Sequence, residues 1–588
     1  MMNQMKDDGF CADLIIVGGG LAGLTAGVRA AQLGLRPLVL EQGTSEDYAC
    51  NSRMSGGILH IGFHDPYRPA HELVGIIDRL TNNEAKPELA RALAHTGARL
   101  LAWLEDQGGK FMRFSPQEGY RWCLSPPRAL RAGMDWERRG PDLLLRQMAK
   151  TLADLGGRLQ LGARVQRLLF EDDHCVGAQG LSAGQETEWR ARYCILADGG
   201  FQASRQLVEK YITTGFDCLF QRGAATGMGD GLTMAQAAGA ALTDCSSFYG
   251  HLLCSDAKHN DQVWPYPEID AIATSGIVVD ASGCRCVDEG RTGVGLANEL
   301  ARRGGNNTYF VVFDASIWEG PGTSARIPAN PLLERAGGTI LRADSIAELA
   351  QKMGVPQSAL VQTVEQYNRA LQSGQMDILT VPRSDTGQQY VIRNGPFMAI
   401  PVCPGITYTM GGIDINADAE VLDEEGRPIK GLFAAGATTG GLEGGSHATY
   451  LGGLIKAGCF GLLAAERIAK LEGKTILPED HSRTGLRNDR KSSGDIDAVL
   501  GGNRARTPPA ELVHGLARFP ILNMVVRHGR TIGAVTSLVM AAVVIALGWN
   551  WLSWFAIPLA ALLAAVAYVV VLGVAELVSL VTEFLMPQ

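Results

Sequence analysis

Residues 13–42, DLIIVGGGLAGLTAGVRAAQLGLRPLVLEQ, hold an apolar run, a glycine turn, a stretch of small residues and a second apolar run. Short apolar runs of this kind predict buried strands, and the stretch between them has helical spacing. The segment therefore reads strand, turn, helix, strand. Residues 68–107 read as helical, carried by the spacing in ELARALAHTGARLLAWL. Residues 142–200 form a mixed stretch that ends in the strand YCILADGG. Residues 246–397 read as more irregular, with Trp-Pro and Asn-Pro punctuation. Strand and helix signals return over 398–472. Residues 473–520 mix both charges around Pro508-Pro509 and read as a linker.

From Thr531 to Ala575 no charged residue occurs. One helix of that length would span about 68 Å, against a hydrocarbon core of ~30 Å. Two spans, Thr531–Leu547 and Phe555–Val574, fit better. Trp549, Trp551 and Trp554 lie at the join, as in an interfacial turn. Arg518, Arg527 and Arg530 precede the first span, which predicts an inner-membrane hairpin with the catalytic domain on the cytoplasmic side.

Composition changes this picture in three places. The 72 glycines in 588 residues exceed the usual share, which suggests tight turns and close backbone approach to a ligand. A net charge of −8 without a long basic run argues against nucleic acid. The 12 cysteines show no CxxC pair and no zinc-type spacing, so no metal site is expected. Cys284 and Cys286 read as buried thiols. The N-terminal MMNQMKDDGFCAD has no signal-peptide core, so the soluble part is expected in a reducing compartment.

Gly18, Gly20 and Gly23 form GxGxxG directly after a strand and at the start of a helix, and Glu41 closes the second strand. Such glycines allow a tight turn and close approach to a pyrophosphate. The helix N-terminus supplies N–H groups, and the acidic residue accepts from a ribose hydroxyl. An acid at that strand end favours FAD or NAD over NADP. No second GxGxxG lies between a strand and a helix, and GRPIKGLFAAGATTGG at 426–441 offers a second nucleotide contact.

The chain resembles the flavoprotein family of fumarate reductase and succinate dehydrogenase, which includes 3-ketosteroid and tricarballylate dehydrogenases. The matching stretches, in order, are DLIIVGGGLAGLTAG, NSRMSGGI (51–58), ILADGGFQAS (195–204), GMGDGLTMAQAAGA (227–240), GCRCVDEGR (283–291), YTMGGIDI (408–415) and GLFAAGATTGGLEGGSHATYLGG (431–453). The resemblance implies an α/β fold: a Rossmann-like FAD-binding domain with an inserted α+β capping domain. To this the sequence adds the C-terminal two-helix transmembrane hairpin. The expected divisions are 1–245 and 398–472 for FAD, 246–397 for the cap, 473–529 for the linker and 530–586 for the hairpin. Beyond the GxGxxG residues and Glu41, it implies flavin contacts at Ser52, Gly56, Gly57, Asp198, Gly199, Asp230, Gly436, Gly452 and Gly453. Ala437 replaces the family's glutamate, and Asp198 replaces a threonine. No histidine lies between 45 and 59, so FAD is expected to be non-covalent.

The implied chemistry is hydride transfer to or from flavin N5 at a C–C bond next to a carbonyl or carboxylate, with a group of the protein handling the proton. Fumarate reductases grip two carboxylates with histidines and arginines. Here Thr407 and Tyr408 stand where a clamp histidine is expected, and Tyr450 stands where an arginine is expected. A phenol cannot grip a carboxylate bidentately; it donates to a carbonyl or accepts a proton. Tyr450 resembles the tyrosine of the ketosteroid dehydrogenases. His251 aligns with the family's substrate histidine, beside Tyr249. Arg291 stands near its proton-donating arginine, with an anion clamp or a surface ion pair as the other reading. Arg285 fits a structural pair, and His447 is a further candidate. The expected partners are a small-molecule substrate, the lipid membrane, and a quinone or another electron carrier. A ketosteroid-type desaturase, an oxygen-using enzyme and a flavin-bearing membrane relay are the competing readings.

Overall fold

A computed structural model describes residues 11–128, 135–263, 268–304, 308–324, 328–384 and 389–476. The segments assigned to the transmembrane hairpin and to nearly all of the linker lie outside the described residues. Among the described residues, no helix is long and apolar enough to cross a membrane.

The first turn of the chain folds as its pattern predicts. Strand β1 (Leu14–Val17) leads through the glycine turn into helix α1 (Leu21–Gln32) and back to strand β2 (Pro37–Glu41). All four β1 residues are buried, as in a parallel strand covered on both faces. The region read as helical over 68–107 is two helices, α2 (Ala70–Leu80) and α3 (Pro87–Asp106). Asn82 and Asn83 take positive φ between them, and Pro87 opens α3 where its missing N–H costs nothing. Helix α4 (Gly140–Asp154) then feeds strands β3 (Arg158–Leu161) and β4 (Tyr193–Leu196).

The segment read as irregular is regular. Strands β5 (Phe220–Gln221), β6 (Phe248–Cys254), β7 (Ile277–Asp280), β8 (Tyr309–Asp314) and β9 (Phe397–Thr409) share a second sheet. A 17-residue helix at Gln357–Ser373 buries Leu360, Val364, Tyr367 and Ala370, a helical spacing the proline-based reading passed over. The chain then returns through β10 (Glu420–Leu422) and β11 (Pro428–Ala434) to the first sheet, in the order β10-β11-β4-β1-β2-β3. Helix α5 (Gly453–Leu471) completes this part. It lies close on α1 because Gly461 faces the Ala22 carbonyl, where a Cβ would sit 2.5 Å away.

Each sheet has its own core. One contains Ile15, Leu40, Ile195, Phe433 and Phe460. The other runs from Phe201 to Ile406 and includes Phe248, Val311, Phe313 and Ile400. It therefore reaches beyond 246–397 at both ends. Strand β9 is the bridge: Ile406 belongs to the second core, while Tyr408 and Met410 join Ala448 in a small cluster between the two. None of the 12 cysteines forms a disulfide; Cys286 is buried as expected, whereas Cys284 is exposed.

Candidate active site

One cavity of about 330 Å³ runs from the β1–α1 turn to the second sheet. At the turn, Gly18 has φ 103°, and a Cβ there would meet the Ala197 carbonyl at 2.5 Å. Gly23 does not line the cavity. Its missing side chain lets α1 pass the Gly18 carbonyl, which a Cβ would approach to 1.9 Å. Glu41 accepts the Gly19 and Gly43 N–H groups, both at 2.8 Å, and so shapes the turn as well as facing the cavity. Ser52 accepts the Leu21 N–H at 3.0 Å and faces the same space. Asp230 pairs with Arg164 at 2.8 Å.

Deeper in, Gly199 has open space where a side chain would be. Asp198 accepts the Gly231 N–H at 2.7 Å, while its Oδ1 is buried without a partner. Burial pushes this carboxyl up to about 7. A helix N-terminus at a glycine turn, an acid at the ribose position, a glycine gap and an orphaned buried oxygen together fit FAD. Gly18 and Gly20 would approach its pyrophosphate and Glu41 its ribose. Gly56, Gly57, Gly436 and Gly453 line the cavity, but Gly452 packs on His60, whose carbonyl a Cβ would meet at 2.3 Å.

The far end of the cavity is aromatic. Antiparallel pairing of β6 with β9 sets Tyr249 opposite Tyr408 and His251 opposite Gly405. Tyr450, from the loop before α5, stacks on Tyr249 with ring centroids 4.0 Å apart. Tyr408 lies 5.5 Å from Tyr249 and 6.4 Å from Tyr450. Burial, then the nearby Glu443 charge, pushes both Tyr408 and Tyr450 above the ordinary phenol range, so both keep their protons. The Tyr450 hydroxyl accepts a long contact, 3.4 Å, from the Gly453 N–H and can still donate. His60 closes one side, edge-on to Tyr450, and burial lowers it to about 4, so it is neutral.

His251 hydrogen-bonds Tyr249 at 3.0 Å through Nε2 and Asp270 through Nδ1. Asp270 also accepts the Leu252 N–H at 2.9 Å, which holds the chain Tyr249–His251–Asp270 in place. Below the tyrosines, Glu443 accepts from Leu451 and Gly452 N–H and from Tyr408, and pairs with Lys456 at 2.9 Å. Burial opposes its charge, but Lys456 and the two N–H groups outweigh it and hold Glu443 below its ordinary value.

The structure thus brings His251, Tyr408 and Tyr450 together. Arg291 stands apart from the cavity lining, 3.7 Å from Asp288 and 4.0 Å from Glu299, donating to the Ser446 carbonyl. That is the surface ion-pair reading. His447 is exposed and outside the lining. Arg285 forms the buried pair with Glu289 expected of a structural arginine. Sequence reasoning passed over Glu443, Lys456, His60 and Arg222. Lys456 had a signal: a lone cation in the otherwise apolar GLIKAGCFGLLAA.

Residues 13–453 match the FAD binding domain family. The chain belongs to that family. This flavoprotein is 26% identical over 472 residues to "Probable fumarate reductase Ifc3" of Shewanella frigidimarina (strain NCIMB 400), which covers 78% of this chain and 74% of the relative. It is 27% identical over 363 residues to "3-oxosteroid 1-dehydrogenase" of Mycolicibacterium smegmatis (strain ATCC 700084 / mc(2)155), covering 54% of this chain and 60% of the relative. Among solved structures, the 3-ketosteroid Δ1-dehydrogenase of Sterolibacterium denitrificans superposes with a TM-score of 0.61 at 18% identity, covering 78% of this chain and all of that one. The fold is shared with it. The chain is an FAD-dependent oxidoreductase of the fumarate reductase family, whose members act on CH–CH groups.

Proposed function

We propose that this flavoprotein dehydrogenates, or in reverse reduces, a C–C bond next to a carbonyl rather than one flanked by two carboxylates. The carrying observation is the cluster of Tyr249, Tyr408 and Tyr450 lining the cavity beside Gly453, with phenol at the position where an arginine would grip a carboxylate. Bound FAD supplies the hydride acceptor or donor. The Tyr450 hydroxyl donates to the carbonyl oxygen as charge gathers there, and its stack on Tyr249 fixes its direction. The chain Tyr249–His251–Asp270 moves the second hydrogen as a proton between cavity and rim. Glu443 and Lys456 hold Tyr408 in place. The ketosteroid-type desaturase reading keeps the same residues in the same roles. In our reading the uncharged C-terminal segment anchors the protein in the inner membrane and places it near quinones.

Anaerobic mixing of the FAD-loaded protein with a panel of ketones, steroids, enones and carboxylic acids tests this. Bleaching of the flavin band by a saturated ketone, or re-oxidation of the reduced protein by an enone, is the expected result. A response confined to succinate and fumarate overturns it.

A further inference from the structure

Arg222 lines the same cavity and has no part in the scheme above. It follows β5, and its N–H bonds the Ile406 carbonyl at 2.7 Å, continuing the parallel register with β9. That register sets Arg222 beside Thr407, while His251 lies across Gly405 on the opposite edge of β9. The ladder with β6 shifts by one residue here, pairing Tyr249 with Tyr408 but Gly250 with Ile406, and Arg222 touches both the Thr407 hydroxyl and the Gly405 face. The arginine stem lies across the bare Gly405, where a Cβ would meet its Cδ at 2.6 Å and Leu253 at 2.7 Å. The result is a notch with a guanidinium on one side and an imidazole on the other.

The guanidinium is under-occupied. Nη1 donates to Thr407 Oγ1 at 3.1 Å, and Nε is buried with no partner. Among the described residues, no carboxylate lies within ion-pair distance of it. An arginine keeps its charge under any ordinary condition, and a half-buried cation with open donors is costly unless an anion completes it. Thr407 and the Gly405 floor hold the fork in one orientation, which suits a planar, two-oxygen acceptor.

The geometry points to Arg222 as a carboxylate anchor: the substrate is an oxo acid, its carboxylate on Arg222 over Gly405 and its carbonyl toward the tyrosines. The clamp lost at position 450 is thus supplied from a different strand. This rests on the cavity being the substrate site, as proposed above.

Calorimetric titration of the FAD-loaded protein with benzoate and with its neutral counterpart benzamide tests the anchor without turnover. Benzoate is expected to bind the parent and to weaken about 10- to 100-fold in Arg222→Gln, the range for loss of charge-assisted hydrogen bonds. Benzamide is expected to bind both proteins alike, with equal FAD content. Arg222→Lys, which keeps the charge but not the fork, is expected to fall between, and it decides the matter if Arg222→Gln does not fold. Equal benzoate affinity in parent and variants, no benzoate binding to the parent, or loss of FAD from Arg222→Lys overturns the anchor. Arg222-dependent benzoate binding in a protein that ignores every carbonyl compound keeps the anchor and removes the carbonyl reading.

Discussion

Glu443→Gln is the most informative single change, because the ion pair it breaks lies directly beneath the tyrosines. The Glu443 side chain is 0% exposed and that of Lys456 3% exposed, at a separation of 2.9 Å. Glutamine keeps an oxygen for the Leu451 and Gly452 N–H groups but loses the charge. The Lys456 ammonium is then left with the Thr439 carbonyl at 3.5 Å. Breaking a buried pair from one side costs about 3–5 kcal/mol, and the retained N–H acceptor places this case near about 3 kcal/mol. Replacing both partners, in Glu443→Gln with Lys456→Met, removes the stranded charge and is expected to recover about 2 kcal/mol. Urea unfolding followed by circular dichroism, under conditions where refolding is complete, measures both. A cost under about 1 kcal/mol, the size of an ordinary substitution, or a double variant no better than the single one refutes the reasoning. The pH dependence has a definite sign. Glu443 is held below its ordinary 4.5, so its stabilisation is present above that value and is lost as pH falls through the lower folded value. The glutamine variant lacks that acid limb.

Tyr450→Phe keeps the ring stacked on Tyr249 and removes only the hydroxyl, so kcat on a carbonyl substrate is expected to fall about 10²-fold while stability moves by less than about 1 kcal/mol. Unchanged kcat makes the tyrosine packing alone. Gly23→Ala drives a Cβ into the Gly18 carbonyl, and purified protein is expected to lack flavin, read from its absorbance ratio. Asp198 sits at about 7 against an ordinary 3.8, so its folded form favours the proton. Its contribution is therefore complete below pH 3.8 and is lost as pH rises to about 7. The thermal midpoint of flavin-free Asp198→Asn is expected to fall less over that window than the parent's, and parallel curves count against it.

The cofactor end of this protein was legible because it is local. GxGxxG, the flanking apolar runs and Glu41 lie within thirty residues, and strand, turn and helix follow from backbone geometry and periodicity at that range. The cap was harder to read. Prolines drew attention from the regular spacing of Leu360, Val364, Tyr367 and Ala370, and the second core collects residues on either side of the expected division.

Sequence alone determined the family, the nucleotide turn, and the presence of a tyrosine where a guanidinium was expected. Only the tertiary structure decided what surrounds that tyrosine. Register between β6 and β9 places Tyr249 and His251, the loop before α5 delivers Tyr450, and β5 brings Arg222 to the bare floor of Gly405. Arg222 and Tyr450 lie 228 positions apart in the chain, and a one-residue slip of β6 along β9 would turn Tyr249 and His251 to the opposite face of the sheet. Arg291 makes the same point in reverse. Its sequence position promised the site, but its side chain is held at the rim by Asp288 and Glu299. Motifs report local chemistry, whereas side chains from separate strands converge only through strand pairing and packing.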